Sequence, residues 1–133
     1  MATLFSKIIA GDLPGHFVHQ DNDVVAFLSI APLTTGHTLV VPRREVDQWT
    51  DAEGTALAGC IAVAQRIGIA IKAAFAAPRA GLVIAGFEVP HLHVHVFPAW
   101  QMSDFDFRAA RPASEQDLDA AAATLRAALP CAG

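Results

Sequence analysis

Three histidines alternate with apolar residues late in the chain, at His91, His93 and His95. Side chains in a β-strand alternate between its two faces, so the three imidazoles would share one face while the apolar residues between them enter a core. An imidazole has a pKa of about 6.5 and is mostly neutral at pH 7, where it can serve as a nucleophile or a proton carrier. This spacing predicts a row of functional histidines on one face of a strand.

Three uses of such a row are open from the residues alone. The imidazoles could hydrogen-bond across the sheet with no further role, or they could hold a metal ion, because imidazole is a common zinc ligand. A catalytic zinc site often includes a carboxylate, and the nearest one, Glu88, lies off the histidine face by parity. The use we favour is nucleophilic catalysis at phosphorus, in which one histidine attacks and its neighbours orient it, neutralise phosphate charge and protonate the leaving group.

Turn residues and apolar runs predict the elements that must position these histidines. Three strands in succession, followed by a long helix and two more strands, favour an antiparallel meander over repeated βαβ units. The expected fold is an α+β domain with a five-stranded, mainly antiparallel sheet. A capping box of Thr50 and Glu53 is expected to open the long helix, and Ser114 to cap a C-terminal helix. The predicted helices span residues 3–11, 50–77 and 114–129, and the predicted strands 17–19, 24–28, 37–41, 82–85 and 92–97.

The composition limits the class of protein. The 133 residues have the size of one domain, spanning residues 1–133. Apolar residues make up 53% of the chain, but polar side chains interrupt its most apolar stretch, so no membrane span is expected. No secretory leader is recognised, and Cys60 and Cys131 form no CxxC motif, so a cytoplasmic location is expected. The net charge of −4 argues against binding nucleic acid by charge.

The long helix has apolar residues on two faces and only a narrow polar stripe through Gln65, Arg66 and Lys72. A helix that is apolar on most sides should be covered on most sides, and one sheet covers only one face. The second face is therefore expected to meet the same helix of another subunit in a homodimer. The alternative is a monomer in which alanine-rich flanks of the helix contact water.

The histidine row, His91-Leu-His-Val-His-Val-Phe97, resembles the signature of the histidine triad (HIT) family, in which apolar residues alternate with three histidines. Four more segments resemble family motifs in the same order: FSKIIAGDLP at 5–14, DVVAFLSIAP at 23–32, GHTLVVPR at 36–43 and AGFEVPH at 85–91. The resemblance covers about residues 3–98 and points to the Hint-like branch. It implies the α+β meander and, in that branch, a dimer whose two sheets join into one of ten strands.

The resemblance also implies an activity. Hint-like members cleave purine nucleoside 5′-phosphoramidates, and this chemistry requires no metal or other cofactor. By the motif, His93 would attack the α-phosphorus and form a nucleotidyl-histidine that water then hydrolyses. His91 would help to position His93, and His95 would contact the scissile bridging group and phosphate. His37 matches a fourth histidine that lies near the phosphate.

The resemblance implies nucleotide-binding residues less strongly than it implies the triad, because apolar residues of a helix and a strand could equally be core residues. An aromatic and aliphatic clamp suits a flat purine ring. The positions that match the family's base pocket are Leu4, Phe5, Ile8, Phe27 and Ile30. Ser29, Glu88 and Val89 match further positions that contact the nucleotide.

Several of these positions depart from the family pattern. Ser29 replaces an aspartate that usually accepts hydrogen bonds from both ribose hydroxyls, so the ribose contact is expected to be weak. Ala80 or Gly81 falls where the family usually has asparagine, and Phe87 falls where it has glutamine. Glu88 replaces a serine or threonine and would repel phosphate unless it is protonated, turns away or meets a cationic amine leaving group.

The structural zinc site of some relatives is expected to be absent, because its cysteine and histidine positions are Thr3, Ser6 and Glu45. Two alternative functions stay open: a nucleotide- or phosphate-binding regulatory protein with little turnover, and a zinc hydrolase with histidine ligands. The segment Trp100–Arg111 could line the pocket, wrap around a partner subunit or form a surface loop.

Overall fold

The computed structural model describes residues 2–130, so Cys131 lies outside the described residues. A five-stranded antiparallel sheet in the spatial order β1-β2-β3-β5-β4 forms the centre of the fold. This confirms the predicted α+β meander. The strands are β1 (Phe17–Gln20), β2 (Val24–Leu28), β3 (Thr38–Pro42), β4 (Arg79–Val83) and β5 (Val94–Ala99), and the helices are α1 (Leu4–Ala10), α2 (Gly54–Ala74) and α3 (Glu115–Ala128).

The two faces of the sheet have different coverings. Helices α2 and α3 pack on one face over the larger hydrophobic core, to which β2, β3 and β5 contribute alternate residues. The other face carries a smaller cluster built on Phe5, Val25, Phe27, Leu39 and Val41, covered by α1. Every residue of β2 and β3 is buried, because both faces of these central strands are covered. The histidines lie on the α1 face.

Local capping explains the ends of two helices. Thr3 caps α1, its Oγ1 accepting a hydrogen bond from the Ser6 amide at 3.0 Å, and Gly11 ends the helix with φ +86°. Ser114 caps α3 as predicted, accepting from the Asp117 amide at 3.1 Å. These short-range signals gave reliable boundaries.

The predicted capping box of α2 is wrong. Thr50 lies in a short 3-10 turn at Trp49–Asp51, and the helix begins only at Gly54, where Glu53 is the N-cap without a side-chain cap bond. The turn absorbs the residues that the spacing assigned to the first helical turn. Strand boundaries also shift: β4 begins three residues earlier than predicted, and β5 begins at Val94 rather than Leu92.

Helix α2 would qualify as a membrane-spanning helix by length and composition, with a mean hydropathy of 1.5 in its most apolar window. In the structure it is the core helix, and its buried side packs on the sheet and on α3. Its outer side exposes Gln65, Arg66 and Lys72, the polar residues that argued against a span.

Candidate functional site

Four of the six histidines lie together on the α1 face of the sheet. His37, His91, His93 and His95 are 2%, 0%, 5% and 9% exposed. His95 is in β5, where it pairs with Leu39 of β3, while His91 and His93 lie in the extended approach to β5. His37 directly precedes β3. Antiparallel pairing of β3 with β5 therefore brings the fourth histidine to the triad.

Gly36 fixes the position of His37. It has φ +98°, a left-handed conformation that favours glycine, and a Cβ at this position would collide with the Phe75 ring. The turn before β3 thus requires glycine both for its backbone and for its close packing.

The hydrogen-bond partners of His91 assign its protons. Its Nε2 lies 2.8 Å from the carbonyl oxygen of Pro42, which can only accept, so Nε2 carries the proton. In the neutral ring Nδ1 is then an acceptor, and the Thr3 hydroxyl donates to it at 2.8 Å. His91 therefore ties the N-cap of α1 to the end of β3 and has no nitrogen left for a substrate.

His93 is held by the backbone of His91. Its Nδ1 lies 2.7 Å from the His91 carbonyl oxygen and donates to it. In the neutral ring, Nε2 then has a free lone pair. His91 orients His93 through this carbonyl, while the His91 side chain points to other partners.

A third set of bonds assigns His37 and His95. The Leu33 amide donates to His37 Nδ1 at 3.0 Å, so the proton of the neutral His37 ring is on Nε2. This Nε2–H donates to His95 Nδ1 at 2.9 Å. His95 therefore carries its own proton on Nε2. The ring centroids of His93 and His95 lie 4.9 Å apart, so the ring with a free lone pair neighbours the ring with an Nε2–H donor.

Burial keeps these imidazoles neutral. It lowers the pKa of His37 to about 3 and that of His95 to about 4, with neighbouring histidines adding repulsion between the protonated forms. The pKa of His93 is also lowered, mainly by burial, although the His91 carbonyl and the Glu88 carboxylate act in the opposite direction. The neutral tautomers are thus the populated forms at pH 7.

Two phenylalanines cover the histidines with ring edges. The ring centroid of Phe5 in α1 lies 4.9 Å from that of His93 and 6.0 Å from that of His91. The ring centroid of Phe107 lies 4.8 Å from that of His95 and 6.4 Å from that of His37. Phe107 belongs to the segment Trp100–Arg111, which forms two short 3-10 turns at Met102–Phe105 and Phe107–Ala109. Part of this segment therefore covers the histidine pair.

The residues predicted to bind a nucleotide have unequal environments. Phe5 and Phe27 are buried in the α1-face cluster with their rings 5.5 Å apart, and Ile8 and Val89 pack against it. Leu4 and Ile30 are exposed. Ser29 is half-buried, and its Oγ accepts from the Ala31 amide at 3.3 Å. Glu88 is exposed.

Metal-ligating groups come together away from the triad. Within residues 2–130, one group of three such side chains has its ligand atoms within 4.8 Å of one another, namely the surface residues His16, Glu115 and Asp119. At the positions of the relatives' zinc cysteines, the Thr3 and Ser6 hydroxyls lie 2.8 and 3.5 Å from His91 Nδ1. These hydroxyls form a hydrogen-bond network with His91.

Sequence reasoning missed the groups that assign the tautomers. Three of them are backbone atoms, the Pro42 and His91 carbonyls and the Leu33 amide, and backbone atoms leave no trace in residue type. Thr3 was singled out only as a missing zinc ligand, although its N-cap position could have indicated its place at the end of α1. Nothing in the sequence distinguishes Phe107 from its neighbours.

The sheet, the helices and the alternating buried histidines define a histidine triad protein. The chain belongs to the HIT family, because the family model described as HIT domain matches residues 10–102. Family membership supports activity of a nucleotide-binding or nucleotide-hydrolysing type.

Individual relatives agree with this assignment. The chain is 40% identical over 103 residues to an uncharacterized HIT-like protein of Mycobacterium tuberculosis, covering 74% of this chain and 72% of that protein. It is similar to the crystal structure of a zinc-bound histidine triad family protein of Mycobacterium smegmatis, with TM-score 0.83, 30% identity and coverage of 96% and 93% of the two chains. A hypothetical histidine triad nucleotide-binding protein of Sulfolobus tokodaii gives TM-score 0.82, 28% identity and coverage of 93% and 89%.

Proposed function

We propose that the protein hydrolyses or transfers a nucleotide at its α-phosphate, with purine nucleoside 5′-phosphoramidates or related nucleotides as substrates. One observation carries the proposal: His93 offers a free Nε2 lone pair beside the Nε2–H of His95. A nucleophile next to a proton donor is the arrangement that phosphoryl transfer through a covalent intermediate needs.

In the first step, His93 Nε2 forms a bond to the α-phosphorus, and the bond from phosphorus to the amine nitrogen breaks. The departing nitrogen takes the Nε2 proton of His95, and a proton from solvent replaces it, so that no imidazolate anion is left. In the second step, the hydroxyl of a water molecule bonds to phosphorus and the bond to His93 breaks. The remaining proton of that water is released to solvent, so one water is consumed and both histidines regain their initial forms.

The other two histidines act through their neighbours. The bond from His37 Nε2–H to His95 Nδ1 keeps the His95 proton on the nitrogen that faces the substrate. The His91 carbonyl holds the proton of His93 on Nδ1 and leaves Nε2 free to attack. Both are positioning residues in this proposal, and no metal or other cofactor takes part.

For the nucleoside, we propose that the base lies against the exposed Leu4 and Ile30, over the cluster that contains Phe5 and Phe27. Ile8 and Val89 form the partly buried margin of this surface. The Ser29 hydroxyl is the ribose contact, and one hydroxyl gives a weaker contact than a carboxylate.

Steady-state release of amine from adenosine and guanosine 5′-phosphoramidates tests the proposal. We expect His93→Ala to lower kcat/KM by about ten-thousand-fold or more, because removing a nucleophile abolishes the covalent route. His19→Ala is the matched control and should leave the rate unchanged, since His19 bonds the surface residue Asp21. Equal rates for wild type and His93→Ala would end the proposal. Binding of AMP without turnover by the wild type would instead favour the regulatory alternative.

We also propose a homodimer formed through β4 and the outer side of α2. β4 is an edge strand, and large apolar side chains beside it are exposed: Ile61, Ile69 (64%) and Leu82 (47%). Such an edge with apolar neighbours is a natural pairing surface. Sedimentation should give twice the 14.0 kDa chain mass, and Ile69→Asp with Leu82→Asp should reduce it to the monomer mass. The control, Leu13→Asp, should not. A wild-type monomer at micromolar concentration would contradict the dimer.

A cytoplasmic location is part of the proposal. Cys60 is buried in α2, forms no disulfide within residues 2–130, and has a pKa raised to about 11 by burial. The chain has only two cysteines and no CxxC motif, which fits a reducing compartment.

A further inference from the structure

A cleft of about 270 Å³ opens beside His93. Its walls come from the 3-10 turn after β3 and from the loop that approaches the triad, and they include Asp47, Trp49 and Phe87. A hydrogen bond of 2.6 Å from the Leu92 amide to the Val46 carbonyl joins these two segments. Ligand pockets usually measure about 300–1,000 Å³, so the cleft has room for part of a substrate and not for a whole nucleotide.

His93, whose Nε2 would attack phosphorus, forms part of the wall of the cleft. His93 is 95% buried and lines the cleft, and its Nε2 has no hydrogen-bond partner among residues 2–130. No fully buried side-chain nitrogen or oxygen in that part of the chain lacks a partner, so Nε2 is accessible. A group in this cleft would therefore be next to the reacting phosphorus.

The aromatic walls of the cleft are unusually exposed. Phe87 is 96% exposed and Trp49 is 50% exposed. Both side chains contribute little to the core, so their place beside the nucleophile calls for an explanation other than packing. Aromatic faces attract cations, and trimethylated ammonium groups are recognised in this way.

The charges around the cleft have one sign. Asp47 lines it, and the Glu88 carboxylate is close enough to His93 to favour the protonated imidazole. No lysine or arginine lines the cleft, and the nearby Arg44 pairs with Glu53 at 3.6 Å. This environment attracts a cation and repels the additional negative charges of a polyphosphate.

We propose, on the basis of the function above, that this cleft is a leaving-group subsite selecting substrates whose departing amine carries a second, permanently cationic ammonium group. Trp49 and Phe87 contact the cation, while Asp47 and Glu88 balance its charge. The phosphorus–nitrogen bond still breaks as the bond to His93 forms, and the ammonium group leaves unchanged with the amine. Dinucleoside polyphosphates are disfavoured at the same cleft.

Two adenosine 5′-phosphoramidates of the same shape test the subsite. One has 2-(trimethylammonio)ethylamine as its leaving group, and the other has 3,3-dimethylbutylamine, in which carbon replaces the charged nitrogen. We expect wild-type kcat/KM to favour the cationic probe about tenfold. Trp49→Leu and Asp47→Asn should each bring this ratio toward one. The matched controls, Trp100→Leu (also 50% exposed) and Asp51→Asn, lie outside the cleft lining and should keep it.

A wild-type ratio of one or less would overturn the subsite. A ratio that survives in the double variant of Trp49 and Asp47 would overturn its assignment to this cleft. Calorimetric binding of both probes to His93→Ala makes the same comparison without turnover, and equal Kd values would also reject the subsite. Tighter binding of the cationic probe without hydrolysis of either probe by the wild type would leave the subsite standing and reject the proposed reaction.

Discussion

The six histidines form two groups that differ in the chemistry of their partners. His37, His91, His93 and His95 are buried and bond to carbonyls, an amide, a hydroxyl and one another. The two others lie near the surface and bond to carboxylates. His16 lies 3.2 Å from Glu115 and 3.0 Å from Asp119, and His19 lies 2.7 Å from Asp21.

The comparison shows that the hydrogen-bond partners of an imidazole determine which chemical role it can have. A carboxylate accepts hydrogen bonds, which suits a clamp such as the one that His16 forms with Glu115 and Asp119 of α3. Neutral partners in a buried site stabilise the neutral ring and fix which nitrogen has the proton. Among residues 2–130 no carboxylate bonds to the four buried histidines, so they keep the lone pair and the donor that the proposed reaction needs.

The change expected to blur this comparison most is one that gives the buried group a carboxylate. Phe107 lies 4.8 Å from His95 and is partly exposed, so Phe107→Glu would place a charge beside that imidazole. An opposite charge at this range raises a histidine pKa by about 1–3 units. A protonated His95 would carry Nδ1–H and lose the bond from His37.

We therefore expect Phe107→Glu to lower kcat/KM at pH 6 by about tenfold or more and to move the acid limb of the pH profile to higher pH. Phe107→Gln has a similar size without the charge and should leave the acid limb in place. An unchanged acid limb in Phe107→Glu would show that a carboxylate partner does not govern the buried group.

The next prediction concerns a variant that removes the Thr3 hydroxyl, a neutral hydrogen-bond partner of His91. Thr3→Val should lower the free energy of unfolding by about 2–3 kcal/mol, because it removes the cap of α1 and leaves buried His91 Nδ1 with only the longer contact to the Ser6 hydroxyl. Urea unfolding measures the loss. Ser114→Ala removes only a helix cap and should cost about 1 kcal/mol. Equal losses in the two variants would contradict a stabilising Thr3–His91 bond.

The pH dependence of stability separates the two groups directly. His37 has a pKa near 6.5 when unfolded and about 3 when folded, so between these values the unfolded chain binds the extra proton. The stabilisation of the folded protein is complete above pH 6.5 and is lost as the pH falls. His37→Gln removes this titration and should reduce the loss by about 1.4 kcal/mol per pH unit between pH 6 and 4.

Urea unfolding at several pH values measures this slope. His19→Gln is the matched change in the surface group and should not reduce the loss of stability on acidification. If His37→Gln and wild type lost stability in parallel, His37 would not be kept neutral in the folded protein.

The smallest effect concerns the surface clamp. His16→Gln should lower the free energy of unfolding by less than about 1 kcal/mol, and added salt should diminish the difference, because both carboxylates are well exposed. Thermal or urea unfolding at low and high ionic strength tests this. A large loss in the free energy of unfolding that does not change with ionic strength would contradict this prediction and place His16 with the buried histidines.

Local signals in the sequence predicted much of the fold. The alternation that put the triad on one face predicted β5 apart from its first residues, Gly11 marked the end of α1, and Ser114 marked the start of α3. Thr50 and Glu53 show the limit, since the same spacing produced a 3-10 turn instead of a helix start. A capping box is a local preference, and the chain around it decides whether a helix follows.

The sequence predicted which histidines form the site, but it could not predict which ring nitrogen of each histidine has the proton. His91 meets Thr3 across 88 positions of sequence, and His95 meets His37 across 58. The pairing of β3 with β5 and the packing of α1 on the sheet bring these residues together, although they are far apart in the sequence. Which nitrogen has the proton then follows from backbone carbonyls and amides, which every residue possesses, so only the folded geometry assigns it.

Nitrogen-15 NMR of the histidine rings at pH 7 tests the central claim most directly, because it distinguishes protonated from bare ring nitrogens. We expect neutral rings for His37, His93 and His95, with the proton on Nδ1 in His93 and on Nε2 in His37 and His95. A His93 ring that is protonated on Nε2, or is an imidazolium at this pH, would have no free lone pair and would contradict the account.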